Sequence, residues 1–394
     1  MFKTNFLDKE TAVQLANNYG TPLFVYSSKT IIESAQAMLS ISAPFGLTIR
    51  YAMKANPYPE ILKTLQKITI KIDASSGYEA ELAIAAGYQP EDILLTSQQI
   101  RDNLKSLVEQ GVQYNATSLH QLETYGKLFG GVKQFSNISV RINPGVGSGH
   151  SAKTNVGGLT SSFGIWHEYI DEIYKLIDRH NLKICRLHTH IGSGADPQVW
   201  QQSLAISLEL LKHFENATTI NLGGGFKVAR VDGEKEADMK VIGKMLVDEL
   251  QDFTNSYGRK LHLELEPGTF LVANAGLLVA KVEDLVDTGK DGYKFIKLNT
   301  GMNDILRPSL YGAQHPIAVL SDMDEIGEYV VVGHNCESGD LLTPVPGDPE
   351  VLQVRKLTVP AIGDLVVIGG VGAYCASMSA HGYNSYPNAK EVLV

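Results

Sequence analysis

The stretch LTIRYAMKANP, residues 47–57, decides how the chain is interpreted, because an apolar strand pattern ends there in a lysine, Lys54. Residues 47–53 have the branched and aromatic side chains that are typical of a strand. Most lysines are solvated surface groups, so a lysine at a strand end is weak evidence for a site when taken alone. Other strand patterns end in GGG at 223–225 and in EPG at 266–268, and this recurrence favours a functional position for Lys54.

Short β-rich runs alternate with longer amphipathic segments, the pattern that parallel βα units produce. Eight runs before residue 275 are predicted as strands: residues 47–53, 68–73, 93–97, 112–117, 138–143, 184–190, 218–222 and 261–266. Eight strands with helical patterns between them predict a (β/α)8 TIM barrel, in which the chemistry gathers at the C-terminal strand ends. An open, doubly wound α/β sheet is the alternative architecture.

The sequence predicts a second domain after residue 275. Its runs at 277–282, 329–332 and 365–368 are β-rich, are broken by Gly, Pro and Asp, and have little helical periodicity. Residues 22–26 form a further strand pattern ahead of the barrel. We therefore predict a barrel over residues 28–275 and a mostly β domain made of residues 1–27 and 276–394.

Composition excludes several classes of function. The formal net charge of the 394 residues is -9 without a basic run, which argues against nucleic acid as a partner. Cys185, Cys336 and Cys375 are odd in number and widely spaced, so they predict neither a disulfide framework nor a metal site. The first residues lack a signal-peptide pattern, and no apolar run approaches about 18 residues. We therefore expect a cytoplasmic protein that does not bind membranes.

Polar residues recur where the predicted strands end: Lys54, Asp73, Arg141, His190, the glycine triplet at 223–225 and Glu266. Taken singly, the triplet is explained equally well as a flexible turn and the histidine as a core residue. Glu266 is harder to explain structurally, because an unpaired buried carboxylate is costly. Together these residues supply an amine for a Schiff base, backbone donors for a phosphate and a carboxylate for a protonated ring nitrogen. Pyridoxal 5'-phosphate requires this set.

Six motifs resemble, in order, those of the fold type III pyridoxal phosphate decarboxylases. They are YAMKAN at 51–56, HTHIGSG at 188–194, LGGGF at 222–226, EPG at 266–268, CESGD at 336–340 and GAYC at 372–375. Within that family, CESGD and the segment LRPSLY at 306–311 most resemble the diaminopimelate decarboxylases. The resemblance implies an alanine racemase-like architecture, with an N-terminal barrel and a C-terminal β domain.

The resemblance also implies how the cofactor would be held. Lys54 would bind it covalently, His190 would stack on its ring, and Glu266 would keep the ring nitrogen protonated. Asp73 and Arg141 would support the ring. The phosphate would be held by Ser193, Gly224, Gly225, Gly268 and Tyr374.

The resemblance further implies an obligate homodimer, because active sites of the family lie between subunits. Cys336 and Glu337 would then reach the site from the partner chain. Cys336 would be the acid that protonates the carbon from which carbon dioxide departs, whereas its alternative interpretation is a small buried hydrophobic residue.

Substrate recognition is predicted from four residues. Arg307 and Tyr311 would bind a distal carboxylate, Glu337 would bind a distal ammonium, and Tyr374 would also contact the substrate. This set suits decarboxylation of meso-diaminopimelate to L-lysine and carbon dioxide, a reaction of lysine biosynthesis.

One departure from the family concerns Thr269, because an arginine normally follows Glu-Pro-Gly. Either Lys227 or Arg230 compensates, or the substrate is a simpler diamino acid such as D-ornithine or D-lysine. Two other classes stay open: a Schiff-base aldolase, which would not need Glu266, and a non-catalytic pyridoxal phosphate-binding protein, which would not need the second domain.

Overall fold

The computed structural model describes residues 6–147, 157–190 and 193–394. It divides the chain into two compact units. The barrel unit comprises Ile32–Val228 and Lys235–Leu271, and the β-rich unit comprises the chain up to Ile31, Ala229–Glu234 and Val272–Val394. The short segment Ala229–Glu234, which the sequence analysis assigned to the barrel, therefore groups with the β-rich unit. The predicted boundaries at 28 and 275 remain predictions.

The strands and helices are numbered here in chain order. The strands are β1 (Leu23–Tyr26), β2 (Leu47–Ala52), β3 (Lys71–Ala74), β4 (Ile93–Leu95), β5 (Gln113–Ala116), β6 (Asn137–Asn143), β7 (Ile165–Trp166), β8 (Lys183–His188), β9 (Thr219–Asn221), β10 (His262–Leu265), β11 (Gly276–Asp287), β12 (Lys294–Leu298), β13 (Ile317–Val319), β14 (Ile326–Val332), β15 (Pro344–Val345), β16 (Asp348–Leu352), β17 (Arg355–Thr358), β18 (Leu365–Gly369) and β19 (Lys390–Leu393). The helices are α1 (Lys9–Tyr19), α2 (Ser28–Leu39), α3 (Pro59–Lys67), α4 (Gly77–Ala85), α5 (Leu104–Gln110), α6 (Leu119–Phe129), α7 (Ile170–His180), α8 (Pro197–Leu211), α9 (Met239–Tyr257), α10 (Thr269–Val272) and α11 (Arg307–Tyr311).

Eight parallel strands close into a ring in the barrel unit. The order is β2-β3-β4-β5-β6-β8-β9-β10, and β10 pairs back onto β2 with Leu263 opposite Leu47. Pairing of β5 with β6 completes the circle, with Asn115 opposite Ser139. The predicted TIM barrel is thus confirmed, and the open-sheet alternative is wrong because an open sheet would leave two unpaired edges.

Each of the eight predicted barrel strands exists and begins within three residues of its predicted start, and the largest difference is in β3. Residues 68–70 belong to the turn that ends α3, where Thr69 has a left-handed φ of 63°, so β3 begins only at Lys71. Local side-chain caps then start the helices that follow. The Ser76 hydroxyl accepts from the backbone N–H of Glu79 at the start of α4, and Ser118 accepts from Gln121 at the start of α6. Strand ends and helix starts therefore coincide as a barrel requires.

The barrel interior contains two layers of polar residues, because residues two apart on a strand face the same side. We call Arg50, Gln113, Ser139, Arg186 and Glu264 the lower layer, and Asn115, Arg141, His188, Asn221 and Glu266 the upper layer. In the lower layer, Glu264 forms ion pairs with Arg50 at 3.1 Å and with Arg186 at 2.7 Å. The upper layer lies nearer the C-terminal strand ends, where a barrel builds its site.

The β-rich unit is organised around a sheet in the order β13-β18-β11-β12-β14-β17, and β1 pairs with both β11 and β19. The first half of β11 is buried and its second half is exposed. A cluster of apolar side chains fills one face of the sheet: Leu7, Ala12, Leu23, Val25, Leu277, Val279 and Val367. A mostly β second domain is therefore confirmed.

Candidate active site

Lys54 lies where β2 ends, in a single 3-10 turn formed by Met53–Ala55. Its side chain is exposed, whereas Met53 and Ala55 on either side are buried. The turn is held because the Tyr51 hydroxyl donates to the backbone oxygen of Asn56 at 2.9 Å. The strand therefore presents one amine at the C-terminal end of the barrel.

Glu266 is a buried carboxylate that contacts two neighbouring residues of the upper layer. Asn221 Nδ2 donates to its Oε1 at 2.7 Å, and His188 Nε2 lies 3.2 Å from its Oε2. Burial by itself would raise the pKa of Glu266, but the charge and hydrogen bond of His188 and the Asn221 amide outweigh it and hold the pKa far below its ordinary value. The carboxylate is thus kept anionic, as a partner for a cationic ring nitrogen must be.

Lys54 interacts electrostatically with other ionisable residues of the barrel site. Burial, and then repulsion from Glu266, raise the pKa of Asp73 well above its ordinary value, while Lys54 opposes this shift. Burial lowers the pKa of Arg141 to about 10, although the carboxylates of Glu266 and Asp73 stabilise its charge. These predicted residues therefore lie close enough to act on one another's protonation.

His190 carries a half-buried imidazole whose pKa favours the neutral form. Burial, followed by the positive charges of Arg141 and Lys54, lowers its pKa well below the ordinary value. A Cβ atom on Gly223 would lie only 2.6 Å from the His190 ring, so the missing side chain at Gly223 makes room for the imidazole. A neutral, flat ring in this position suits stacking on a planar cofactor.

The glycine triplet packs against the Glu266 turn. A Cβ atom on Gly224 would lie 2.1 Å from the backbone oxygen of Glu266, so only glycine fits. Gly225 accepts from the backbone N–H of Gly194 at 3.0 Å, which joins the triplet to the segment that begins with the half-buried Ser193. Gly268 lies against Ala52 and Ala55, beside Lys54. Of the predicted phosphate-binding residues of the barrel, Gly268 thus lies at the strand end that carries the amine, and Gly224 lies at the Glu266 turn.

Pyridoxal phosphate fits these residues. Asp73 Oδ1 and His190 Nδ1 are buried and have no hydrogen-bond partner within the described part of the barrel. Buried polar atoms are seldom left unpaired, so such atoms beside an amine and a fixed anion indicate a polar ligand. The glycine triplet offers backbone without side chains, which a phosphate can approach closely.

Sequence reasoning missed His188, Asn221 and Glu79. The Glu79 carboxylate accepts from the backbone N–H of Ser75 at 2.6 Å, and the Lys54 ammonium stabilises its charge. His188 and Asn221 lie two residues before His190 and Gly223, so strand periodicity was a usable signal. Their contact with Glu266 was not predictable, because it joins three different strands.

The predicted substrate residues lie in the β-rich unit. Arg307 and Tyr311 are the first and last residues of α11, and a spacing of four places them on one side of this short helix. Tyr374 adopts a left-handed φ of 56°, a conformation that costs about 1–3 kcal/mol in residues other than glycine. Backbone strain of this kind is often retained where a side chain must be aimed at a ligand.

Cys336 and Glu337 occupy an exposed loop between the buried residues Asn335 and Asp340. The backbone N–H of Cys336 donates to Asn384 Oδ1 at 2.7 Å, and the Tyr383 hydroxyl donates to Glu337 at 3.3 Å. Cys336 is exposed, so its interpretation as a buried hydrophobic residue is wrong. The loop presents a thiol and a carboxylate on the surface of the β-rich unit.

Comparison with known proteins defines the class. Residues 29–273 match the model of the pyridoxal-dependent decarboxylases, over their pyridoxal binding domain. The chain belongs to this family, and it is an enzyme that uses pyridoxal 5'-phosphate as its cofactor.

The similar proteins narrow the class further. The diaminopimelate decarboxylase of Streptomyces coelicolor is 37% identical over 98% of this chain and 88% of its own length. A crystal structure of a diaminopimelate decarboxylase superposes with a TM-score of 0.91 at 31% identity, covering 100% of this chain and 94% of that one. The Helicobacter pylori diaminopimelate decarboxylase, complexed with L-lysine, has a TM-score of 0.84 at 26% identity, covering 97% and 93% of the two chains.

Every helix within residues 6–147, 157–190 and 193–394 is too short or too polar to span a membrane. The same residues contain no group of three or more His, Cys, Asp or Glu side chains that could bind a metal ion.

Proposed function

We propose that the protein decarboxylates meso-diaminopimelate to L-lysine and carbon dioxide, as a step of lysine biosynthesis. The observation that carries the proposal is Arg307, a cation at the start of α11 that has no carboxylate partner among the described residues. A substrate with a second carboxylate would supply that partner. Similar proteins from several organisms bear the name diaminopimelate decarboxylase, and one is complexed with L-lysine, which supports the same substrate.

In this proposal each barrel residue has one task. Lys54 would bind the cofactor aldehyde, Glu266 would hold a proton at the ring nitrogen, and the neutral His190 would cover one face of the ring. Pyridoxal phosphate, when bound, would supply an electron sink for the loss of carbon dioxide. The backbone of Gly224 and Gly225 would hold its phosphate. Tight positioning of these groups lowers the barrier because they are ordered before the substrate arrives.

The residues of the β-rich unit would select the substrate and complete proton transfer. Arg307 and Tyr311 hold the distal carboxylate, Glu337 holds the distal ammonium, and Tyr374 contacts both substrate and phosphate. The Cys336 thiol donates a proton to the former α-carbon. Exposure of Cys336 and Glu337 supports a homodimer in which this loop completes the site of the partner subunit.

Subunit mixing tests the shared site. Homodimers of Lys54→Ala and of Cys336→Ala are each expected to be inactive, whereas hybrids made by exchange contain one intact site and regain partial activity. Regain of up to about a quarter of wild-type turnover is expected from random exchange, because half of the dimers are hybrids with one intact site of two. If exchange is verified by mass and no activity returns, the site is built within one chain.

A substrate panel tests the reaction. Carbon dioxide release is measured with meso-diaminopimelate, D-lysine, D-ornithine and the L forms of the last two. We expect meso-diaminopimelate to have by far the highest kcat/KM. Preference for D-lysine or D-ornithine would instead support the simpler diamino acids that Thr269 left open.

Arg307→Lys tests whether Arg307 binds the distal carboxylate of the substrate. The variant keeps a positive charge but loses the planar guanidinium group, which can donate two hydrogen bonds to one carboxylate. Therefore kcat/KM for meso-diaminopimelate should fall by an amount equivalent to roughly 1.5–3 kcal/mol. Slow turnover of lysine should not change, because lysine has no distal carboxylate. Arg101, a half-buried barrel residue that forms an ion pair with Glu81, changed to Lys, is the matched control. Equal losses for both substrates would assign Arg307 a structural role.

We also propose a cytoplasmic location. The three cysteines of the chain are free, as is usual in a reducing compartment.

A further inference from the structure

Two arginines of the β-rich unit act on one another electrostatically although they are distant in sequence. Arg230 lies in the short segment Ala229–Glu234, and Arg307 begins α11. Burial, and then the positive charge of Arg307, lower the pKa of Arg230 to about 9. Like charges repel, so an anion that binds both guanidinium groups would stabilise this cluster.

The fold holds Arg230 in place through its backbone and its Nε atom. The backbone N–H donates to the Glu234 carboxylate at 2.7 Å, and Nε donates to the backbone oxygen of Gly370 at 2.9 Å. A Cβ atom on Gly370 would lie 2.9 Å from Arg230 Cδ, so the absence of a side chain there makes room for the arginine. Arg230 also lines a cavity of about 90 Å³ together with Asn274 and Gly370.

Three buried nitrogens of this cluster and of His315 lack partners among the described residues. Arg230 Nη2, Arg307 Nε and His315 Nε2 are buried, and none has a hydrogen-bond partner over residues 6–147, 157–190 and 193–394. Neither arginine forms an ion pair with a carboxylate in those ranges. His315 Nδ1 donates to the backbone oxygen of Gly369 at 2.9 Å, and burial lowers the pKa of this imidazole, so it is neutral and brings no negative charge to the arginines. Buried guanidinium nitrogens without acceptors are costly, and an external anion would satisfy them.

We propose that Arg230 is a specificity-determining residue that binds, together with Arg307, the distal carboxylate of the substrate. This assignment rests on the proposed function. Two guanidinium groups offer several N–H donors to the two oxygens of a carboxylate, a geometry that a single arginine cannot provide from both sides. Thr269 is half-buried and uncharged. With Arg230 and Arg307 binding the carboxylate, the substrate site needs no arginine at position 269.

The test compares Arg230→Gln, Arg230→Lys and the wild-type holoenzyme, with Arg101→Gln as the matched surface control. With meso-diaminopimelate, Arg230→Gln should raise KM by about 10- to 100-fold, the range for hydrogen bonds to a charged group, with little change in kcat. Arg230→Lys should lie between this variant and the wild type. Calorimetry with pimelate, a dicarboxylate of the same chain length without amino groups, should show a loss of affinity of similar size.

The cofactor phosphate is the other anion that could occupy the cluster, so the dissociation constant of pyridoxal phosphate is measured for every variant. We expect it to be unchanged. A weaker cofactor affinity with an unchanged KM at saturating cofactor would overturn the assignment. So would unchanged KM and pimelate affinity in Arg230→Gln or, should that variant not fold, in Arg230→Lys. A wild-type enzyme that does not act on meso-diaminopimelate would refute the proposed function itself, and the assignment with it.

Discussion

Glu264 and Glu266 lie two residues apart at the end of one barrel strand and point into the same interior, yet their surroundings differ. Glu264, in the lower layer, forms ion pairs with Arg50 and Arg186. Glu266, in the upper layer, contacts His188 and Asn221 within the described part of the barrel, and Arg141 acts on it electrostatically. The same side chain therefore neutralises cations in one layer and remains available to a ligand in the other.

The difference shows how this barrel separates stability from function. In the lower layer the Gln113 amide oxygen accepts from Arg186 at 2.6 Å, and the Ser139 hydroxyl accepts from Arg186 at 3.0 Å, so the network is nearly closed. At the upper end, Asp73 Oδ1 and His190 Nδ1 remain unpaired among the described residues. Incomplete pairing at the strand ends is what allows a cofactor to bind there.

The largest effect is expected from Lys54→Ala, which removes a residue from the C-terminal, functional end of the barrel and leaves the lower layer unchanged. Turnover should be abolished, and the visible absorbance of the lysine-bound cofactor should disappear, because no other described group replaces the amine. The midpoint of thermal unfolding without cofactor should stay close to that of the wild type. Lys63→Ala, on an exposed face of α3, is the control. An undiminished visible band would contradict the assignment.

The next largest effect is expected from Glu264→Gln, which breaks the lower layer. Arg50 and Arg186 would be left without their carboxylate, and loss of one partner of a buried ion pair costs about 3–5 kcal/mol of unfolding free energy. Urea unfolding of the apoprotein measures this loss. A change below about 1 kcal/mol would show that water reaches the two guanidinium groups.

The same variant should change how stability depends on pH. Burial opposes the charge of Glu264, but Arg50 and Arg186 lower its pKa below the ordinary value of 4.5 in the folded state. Its contribution to stability is therefore present above pH 4.5 and is lost as pH falls through the lowered folded value. Glu264→Gln should show a smaller decline of stability below pH 4.5 than the wild type. Parallel curves for the two proteins would contradict this coupling.

Glu266→Gln should reduce catalysis more than stability, the reverse of the effect expected for Glu264→Gln. The amide keeps a hydrogen-bonding shape but loses the negative charge, so kcat should fall on the order of 10²-fold. The unfolding free energy should fall less than in Glu264→Gln, because Glu266 forms an ion pair with His188 alone among the described residues, whereas Glu264 neutralises two arginines. Similar destabilisation by Glu264→Gln and Glu266→Gln would remove the distinction between the layers.

The smallest effect is expected from Asn221→Ala, which sharpens the comparison because this amide contacts both layers. Its Nδ2 donates to Glu264 at 3.2 Å and to Glu266 at 2.7 Å. Loss of the amide should cost about 1.5 kcal/mol of stability and should also reduce kcat. In the double variant with Glu264→Gln the two stability losses should not be additive, since residues of one network are coupled. Additive losses would show that Asn221 acts on Glu266 alone.

Much of the fold could be predicted from local patterns. Strand periodicity located all eight barrel strands within a few residues. The loss of helical periodicity near residue 275 marked the β-rich unit. The main local error, at residues 68–70, arose because the left-handed turn at Thr69 has no glycine to indicate it. Lys54, Glu266 and the glycine triplet could be selected because each follows a strand pattern directly.

The sequence by itself determined which residue types occupy the strand ends, since the period of two and the turn residues are encoded within a few neighbouring positions. Only the tertiary structure decided which of them meet. Closure of β5 onto β6, the grip of His188 and Asn221 on Glu266, and the approach of Arg230 to Arg307 all join segments that are far apart in the chain. Such contacts form when separate elements pack around one core, and no local pattern contains the packing that brings them together.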